Sequence, residues 1–265
     1  MAVEEIRVSS WGELQEQLFA DSWHPELRRF RSNFAFRGRN DANEDLQTSL
    51  LRLGGNPASV EGHLLRNFRK YAQRADVPFD SLWNWLALAQ HHGLPTRLLD
   101  WTYSPYVAVH FATAQVKLFD RDGVVWMVDY VQAQEQAPAQ LRDLLGAQEM
   151  NVFTAELLAE AVGGLRELEA LADDDYVLFL EPPSLDERIV NQYALFALMS
   201  RPQARLDEWL ERRAVGARKL VIPAELKWEI RDKLDQANVT ERVLFPGLDG
   251  LSRWLARYYA PRAER

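Results

Sequence analysis

A chain of 265 residues, 47 % hydrophobic and 26 % charged, is long enough to bury one large core. The absence of cysteine excludes disulfides, thiolate zinc sites and cysteine nucleophiles, and a formal charge of −8 excludes a general attraction to phosphate backbones, although a local arginine stripe can work against a negative total. Glu4 and Glu5 stand where a signal peptide would be basic, and no apolar run approaches the roughly 18 residues a membrane span needs, so the cytoplasm is the expected compartment and no membrane partner is expected.

In chain order, Ser10 followed by Glu13 predicts a capped helix with Trp11, Leu14, Leu18 and Phe19 on one face. Asn33 to Phe36 reads as a strand ending at Arg37-Gly38, and Asn40 to Asn43 as a turn. Ser59 is predicted to cap a helix carrying Val60, Leu64, Phe68 and Tyr71, and Asp80 to cap a buried helix from Ser81 to about His91, stopped by Gly93 and Pro95. Ser104-Pro105 starts a helix expected to reach about Lys117, and Val124 to Val128 is an apolar run suited to mid-sheet. From about 132 to 172 the composition predicts an inserted helical segment. Tyr176 to Leu180, Gln192 to Leu198 and Lys219 to Ile222 are further strand candidates, and helices follow from Pro223 and from Leu248 to Tyr259. With no linker or repeat in view, a single domain over 1–265 is expected.

Several familiar chemistries have no motif here: there is no GxGxxG, phosphate-loop lysine, HExxH or GxSxG. Adjacent His91 and His92 diverge by roughly 100° on a helix, so no metal site is expected. The richest stretch is Gln90 to Thr102, QHHGLPTRLLDWT. Its polar groups sit among residues that read as buried and need partners: His92, Thr96, Arg97 and Asp100 either form an internal hydrogen-bond and ion-pair network or face a ligand. Arg28, Arg29, Arg31, Arg37 and Arg39 cluster within twelve residues, as a solvated loop or as a basic patch.

Phe36-Arg37-Gly38, the QHHGLPTRLLDWT stretch, the helix with Ala108 and Phe111-Ala112, and the later Arg188, Gln192 and Phe196 together resemble the FRG-domain family, named for the Phe-Arg-Gly triplet. Ile222-Pro223 and the run from Leu244 to Leu251 resemble the family's closing pattern. The order of these motifs is also similar to that of ADP-ribosyltransferases of the arginine-serine-glutamate type. Arg37 stands at the strand-end arginine, Thr102 and Ser104 at the Ser/Thr position, and Ala108 to Ala112 at the following helix.

That resemblance implies an α+β fold with a split mixed β-sheet core and flanking helices, ADP-ribosyltransferase-like, with NAD as co-substrate and no metal. It implies catalytic roles for Arg37, Thr102, Gln192 and Glu187, and NAD contacts from Phe36, Arg37, Gly38, His91, His92, Thr96, Arg97, Asp100, Trp101, Ser104 and Arg188. Trp101, Tyr103 or Tyr106 would stack on nicotinamide. The expected glutamate position holds Gln192 or Ala194, so the acid would come from Glu187 or Asp100, or activity is altered or lost. A nucleic-acid base, in DNA first, is the expected acceptor. The alternatives are a non-catalytic NAD- or nucleotide-sensing module in bacterial (phage) defence or regulation, and an NAD glycohydrolase.

Overall fold

A computed structural model of the protein describes residues 3–72, 77 and 79–262. The chain opens with β1 (Glu4–Arg7) and α1 (Trp11–Leu18), followed by a small hairpin of β2 (Trp23–His24) and β3 (Arg29–Phe30), and then β4 (Phe34–Arg39). Three helices come next: α2 (Ser49–Arg52), α3 (Pro57–Tyr71) and α4 (Leu82–His91). β5 (Leu98–Thr102), α5 (Pro105–Ala112) and β6 (Gly123–Asp129) complete the first half.

The second half begins with α6 (Tyr130–Gln134) and α7 (Ala139–Ala147), then β7 (Phe153–Thr154), α8 (Ala155–Ala161) and α9 (Leu165–Ala170). β8 (Val177–Glu181), α10 (Glu187–Asn191) and β9 (Ala194–Met199) lead through α11 (Leu206–Arg212) into β10 (Ala217–Ile222). The C-terminal helices are α12 (Lys227–Gln236), α13 (Glu241–Leu244) and α14 (Leu248–Tyr258). The fold is therefore α+β, with one mixed sheet of eight strands in the order β1-β10-β6-β4-β5-β9-β8-β7.

The sheet is not evenly zipped. β4 pairs with β6 along its whole length, from Phe34↔Asp129 to Arg39↔Val124, and β5 with β9 from Leu98↔Leu198 to Thr102↔Ala194. Between them, β4 and β5 share only the register position Phe36↔Thr102. From that point the two halves part, leaving backbone groups of both strands facing a gap in the middle of the sheet.

Three apolar clusters hold the halves in place. One joins α3, α4 and α8 to Leu98, Leu178 and Phe196; a second packs Leu99, Trp101 and Phe179 with Trp209; a third packs α5 with Phe36, Val125 and Ile230. The Phe-Arg-Gly triplet divides between these duties because strand side chains alternate. Phe36 enters the third cluster, Arg37 points to the other face, and Gly38 lets α5 lie directly on β4. A methyl group on Gly38 would occupy the position of the Ala108 carbonyl oxygen and crowd the Ala112 amide. Ala108 and Ala112, both fully buried, complete this close approach.

Local signals hold where side chains cap helices, with shifts of register. Ser10 caps α1, accepting from the Glu13 amide, although the Glu13 carboxylate reaches back to Ser9 rather than Ser10. α3 is capped by Asn56, not Ser59, because Asn56 precedes Pro57 at the first helical position; Ser81 rather than Asp80 caps α4, leaving Asp80 to accept from Trp85 and Arg69. α5 stops at Ala112, where the Thr113 hydroxyl donates back to the Val109 carbonyl. The segment from 132 to 172 is mostly helical but hides β7, which pairs with β8.

The strand predicted from Gln192 is corrected. The Asp186 carboxylate accepts from the Ile189 amide and nucleates α10, Gln192 is that helix's last, capping residue, and Tyr193 turns the chain with φ 47°, so β9 starts only at Ala194. Neither β1 nor the β2–β3 hairpin had a sequence signal strong enough to predict. Among the described residues no helix is long and apolar enough to cross a membrane.

Candidate functional site

The gap between β4 and β5 opens into a cleft of ≈ 200 Å³. Its walls come from β4 (Phe36 to Arg39), the end of α4 (Gln90, His91), β5 (Asp100 to Thr102), Phe111 of α5, and α10 with β9 (Arg188, Gln192, Phe196). A more open lobe continues outward past Ser49, His92, Gly93 and Leu94 and shares Gln90, His91, Asp100 and Arg188 with the cleft. Clefts at a sheet interruption are favourable places for a ligand because unpaired backbone and convergent side chains meet there.

Arg37 is the centre of the site. Its guanidinium donates to the Asp100 backbone carbonyl across the gap, while its buried Nε has no partner among the described residues. Burial lowers its pKa to about 10, against the pull of the Asp100 carboxylate and with the help of Arg39 and Arg52. A guanidinium left short of acceptors in a low-dielectric cleft has a standing demand for an anion or a polar oxygen.

Arg188 adds a second cation. It is half-buried, makes no ion pair among the described residues, and lies over the Phe245 ring at 5.2 Å. Arg39, by contrast, is paired with Glu44. Among the described residues the one acidic side chain lining the cleft is Asp100, whose Oδ1 accepts from Gln90 Nε2 at 2.9 Å. Gln90 is itself oriented by Thr96, whose hydroxyl donates to Gln90 Oε1 at 2.5 Å. Asp100 is exposed on an otherwise buried strand, which leaves its second oxygen open to the cleft.

Some predicted site residues have other employment. Arg97 is 2 % exposed and does not line the cleft; it is held by Glu61 through two nitrogens, by Glu169 at 2.8 Å and by the Ser200 carbonyl at 2.7 Å. Burial opposes its charge, but Glu61 and Glu169 raise its pKa on balance. Thr96 is buried and braces Gln90 and the Leu98 amide. The internal-network reading of the stretch thus describes Thr96 and Arg97, whereas Asp100 faces the cleft and exposed His92 the outer lobe.

Thr102 lines the cleft, but its hydroxyl donates to the Gln192 carbonyl at 2.7 Å and accepts from the Ser104 amide at 2.9 Å. These bonds pin α10 to β5. Gln192 lines the cleft and donates Nε2 to the Leu244 carbonyl at 2.9 Å. Ser104 caps α5, and Glu187, exposed in the first turn of α10, is not part of the lining. Trp101 packs edge-on against Phe179 at 5.8 Å within the second cluster, Tyr103 donates to Glu181 at 2.9 Å, and Tyr106 stacks on Trp11, so none of the three offers a free ring face in the cleft. The aromatic residues of the lining are Phe36, Trp101, Phe111 and Phe196, of which Phe111 is the least buried.

The arginine cluster also separates. Arg28, Arg29 and Arg31 are exposed around the β2–β3 hairpin, next to Trp23 and Phe30, whereas Arg37 and Arg39 belong to the sheet. Two contributors escaped the sequence reading. Asp186 holds His91 Nε2 at 2.7 Å, and Phe245 supports both Phe111 (centroids 6.1 Å apart) and Arg188. A helix-capping aspartate was the only signal for the first, and the Leu244 to Leu251 pattern for the second.

An α+β protein with a split mixed sheet and a cationic cleft in the split is the class this geometry defines. Residues 32–121 match the family model of the FRG domain, which supports the family resemblance carried by the Phe-Arg-Gly triplet and the QHHGLPTRLLDWT stretch. The matched region includes Arg37, Asp100 and α5 and leaves Arg188 and the C-terminal elements outside it. No curated protein and no solved structure matches the chain.

Proposed function

We propose that the protein is an NAD-dependent ADP-ribosyltransferase of the split-sheet type, with the cleft as its active site. The observation that carries this reading is an under-satisfied Arg37 bound to the Asp100 carbonyl across the gap, with the Asp100 carboxylate open to the cleft and Arg188 without an ion pair among the described residues. The chemistry needs two anchored cations for a pyrophosphate and one negative group beside a sugar that becomes positive when nicotinamide leaves.

In this mechanism Arg37 and Arg188 hold the pyrophosphate, and Phe111 and Phe196 wall the ring-bearing end. The bond between ribose C1′ and the nicotinamide nitrogen breaks with its electron pair leaving on nicotinamide. Asp100 stabilises the oxocarbenium-like sugar, and the acceptor's lone pair then forms the new bond at C1′. Asp100 thus takes the part that the resemblance would have assigned to a glutamate at the Gln192 or Ala194 position. A nucleic-acid base, in DNA first, is the acceptor, on the strength of the exposed Arg28, Arg29 and Arg31 beside Trp23 and Phe30, a combination suited to phosphates and stacked bases.

The second reading, a non-catalytic NAD or nucleotide sensor, is favoured by one fact: among the described residues no glutamate lines the cleft. Incubation with labelled NAD and single- and double-stranded DNA, RNA and protein acceptors separates the readings. Transfer of label that Arg37→Ala and Asp100→Asn both abolish is the expected result. Nicotinamide release without transfer would make the protein an NAD glycohydrolase, and NAD binding without release would make it a sensor.

A further inference from the structure

His91 is the last residue of α4, and its side chain is only 10 % exposed, yet it borders both the cleft and the outer lobe. Its Nε2 is bound to Asp186 Oδ2 at 2.7 Å, and the other oxygen of Asp186 accepts from the Ile189 amide at 3.1 Å as the cap of α10. The carboxylate is thereby fixed by its own helix before it meets the imidazole. With Nε2 donating to Asp186, the lone pair of a neutral ring lies on Nδ1, for which no hydrogen bond forms among the described residues, and the ring packs edge-on against His92. The proposed mechanism holds the pyrophosphate with Arg37 and Arg188 and leaves this pair without a part.

We propose that His91, oriented by Asp186, is the proton acceptor for the incoming nucleophile, and that the outer lobe bounded by Ser49, His92, Gly93 and Leu94 receives the nucleobase that carries it. This rests on the transferase reading and names the group that reading lacks. As the acceptor's N–H nitrogen bonds to C1′, its proton passes to His91 Nδ1 and leaves to solvent through the open lobe. The pair divides the chemistry between the lobes: Arg37 and Asp100 handle the sugar, and His91 handles the acceptor.

The charged groups around the ring agree with a base. From α10 come Asp186 and Arg188, from α4 His92, and from β5 Asp100. Burial lowers the His91 pKa from its ordinary value, Asp186 raises it, and Arg188 and His92 lower it, with the net shift downward. A ring with a lowered pKa is neutral at pH 7 and gains a proton only on acidification, so transfer should rise with pH through a limb below the ordinary histidine range.

The test compares the wild type with His91→Gln and Asp186→Asn in NAD affinity, nicotinamide release and label transfer to single-stranded oligonucleotides as a function of pH. The expected result for His91→Gln is NAD affinity near wild type, a fall in transfer of about 100-fold or more, a shift of product from transfer to hydrolysis, and loss of the acidic limb. Asp186→Asn, which keeps the cap but removes the charge that raises the His91 pKa, should slow transfer and move the limb to lower pH; it also decides the matter should His91→Gln not fold. Wild-type transfer that both variants leave unchanged, with the limb in place, overturns the role of His91 and spares the transferase reading. A wild type that releases no nicotinamide overturns both.

Discussion

Arg37 and Arg97 come from equally distinctive stretches of sequence, Arg97 fully buried and Arg37 half-buried with its Nε enclosed, yet the molecule treats them in opposite ways. Arg97 is surrounded by acceptors: two carboxylates and a backbone carbonyl, with its charge reinforced by Glu61 and Glu169. Arg37 has one backbone carbonyl, a buried Nε without a partner and a pKa lowered to about 10. A satisfied buried charge fixes structure, whereas an unsatisfied one holds a place for something else.

The contrast predicts a graded series of effects on stability. Arg97→Ala strands the nearly buried Glu61 carboxylate, and the loss should be about 3–5 kcal/mol in chemical denaturation. A loss near zero would show that Glu61 simply takes up a proton and that the two arginines differ less than their surroundings suggest. Gly38→Ala should cost about 1–3 kcal/mol or more, because α5 must lift off β4. Thermal melting should reveal it even with NAD absent, and an unchanged melting point would mean that α5 is not seated on Gly38.

The buried ion pair of Glu241 with Arg257 adds a dependence on pH. Burial alone would raise the Glu241 carboxyl, but hydrogen bonds from Arg257 and the nearby charge of Arg231 hold it down at about 2. A folded pKa below the ordinary 4.5 means that this contribution is complete above pH 4.5 and is lost as the pH falls toward 2. Acid titration of the unfolding free energy should therefore be shallower in Glu241→Gln over that window.

Thr102→Val is expected to cost about 1–3 kcal/mol, since the Gln192 carbonyl and the Ser104 amide both lose their partner. Loss of turnover without loss of stability would return Thr102 to the catalytic role that its motif position implied. The smallest effect on folding should come from Arg37→Ala, whose melting temperature stays close to wild type while NAD affinity, followed by calorimetry, disappears. A large drop in melting temperature with NAD affinity intact would erase the contrast with Arg97.

Much of the fold was legible locally. The caps at Ser10 and Ser104, the Pro105 helix start, the α4 stop at Gly93 with φ 81°, and the fully buried run of β6 depend on residues a few positions apart, and each left its mark in the sequence. The strand was started two residues early, at Gln192, because the apolar run from Tyr193 to Leu198 suits a strand, and only the capping carboxylate of Asp186 turns its beginning into helix. The bond from Thr102 to the Gln192 carbonyl was not legible, because a hydroxyl in a motif says nothing about which carbonyl will reach it from 90 positions away in the chain.

By itself the sequence determined the α+β composition of elements, the cysteine-free chemistry, and the set of polar residues from Gln90 to Thr102 that had to find partners. Tertiary structure alone decided how those residues divide. Glu61 and Glu169 arrive beside Arg97 from α3 and α9 and satisfy it, while β4 and β5 meet at one register position and leave Arg37 and Asp100 facing a gap. The physical reason is that a buried polar group is defined by the partners brought to it, and these come from elements far apart in the chain.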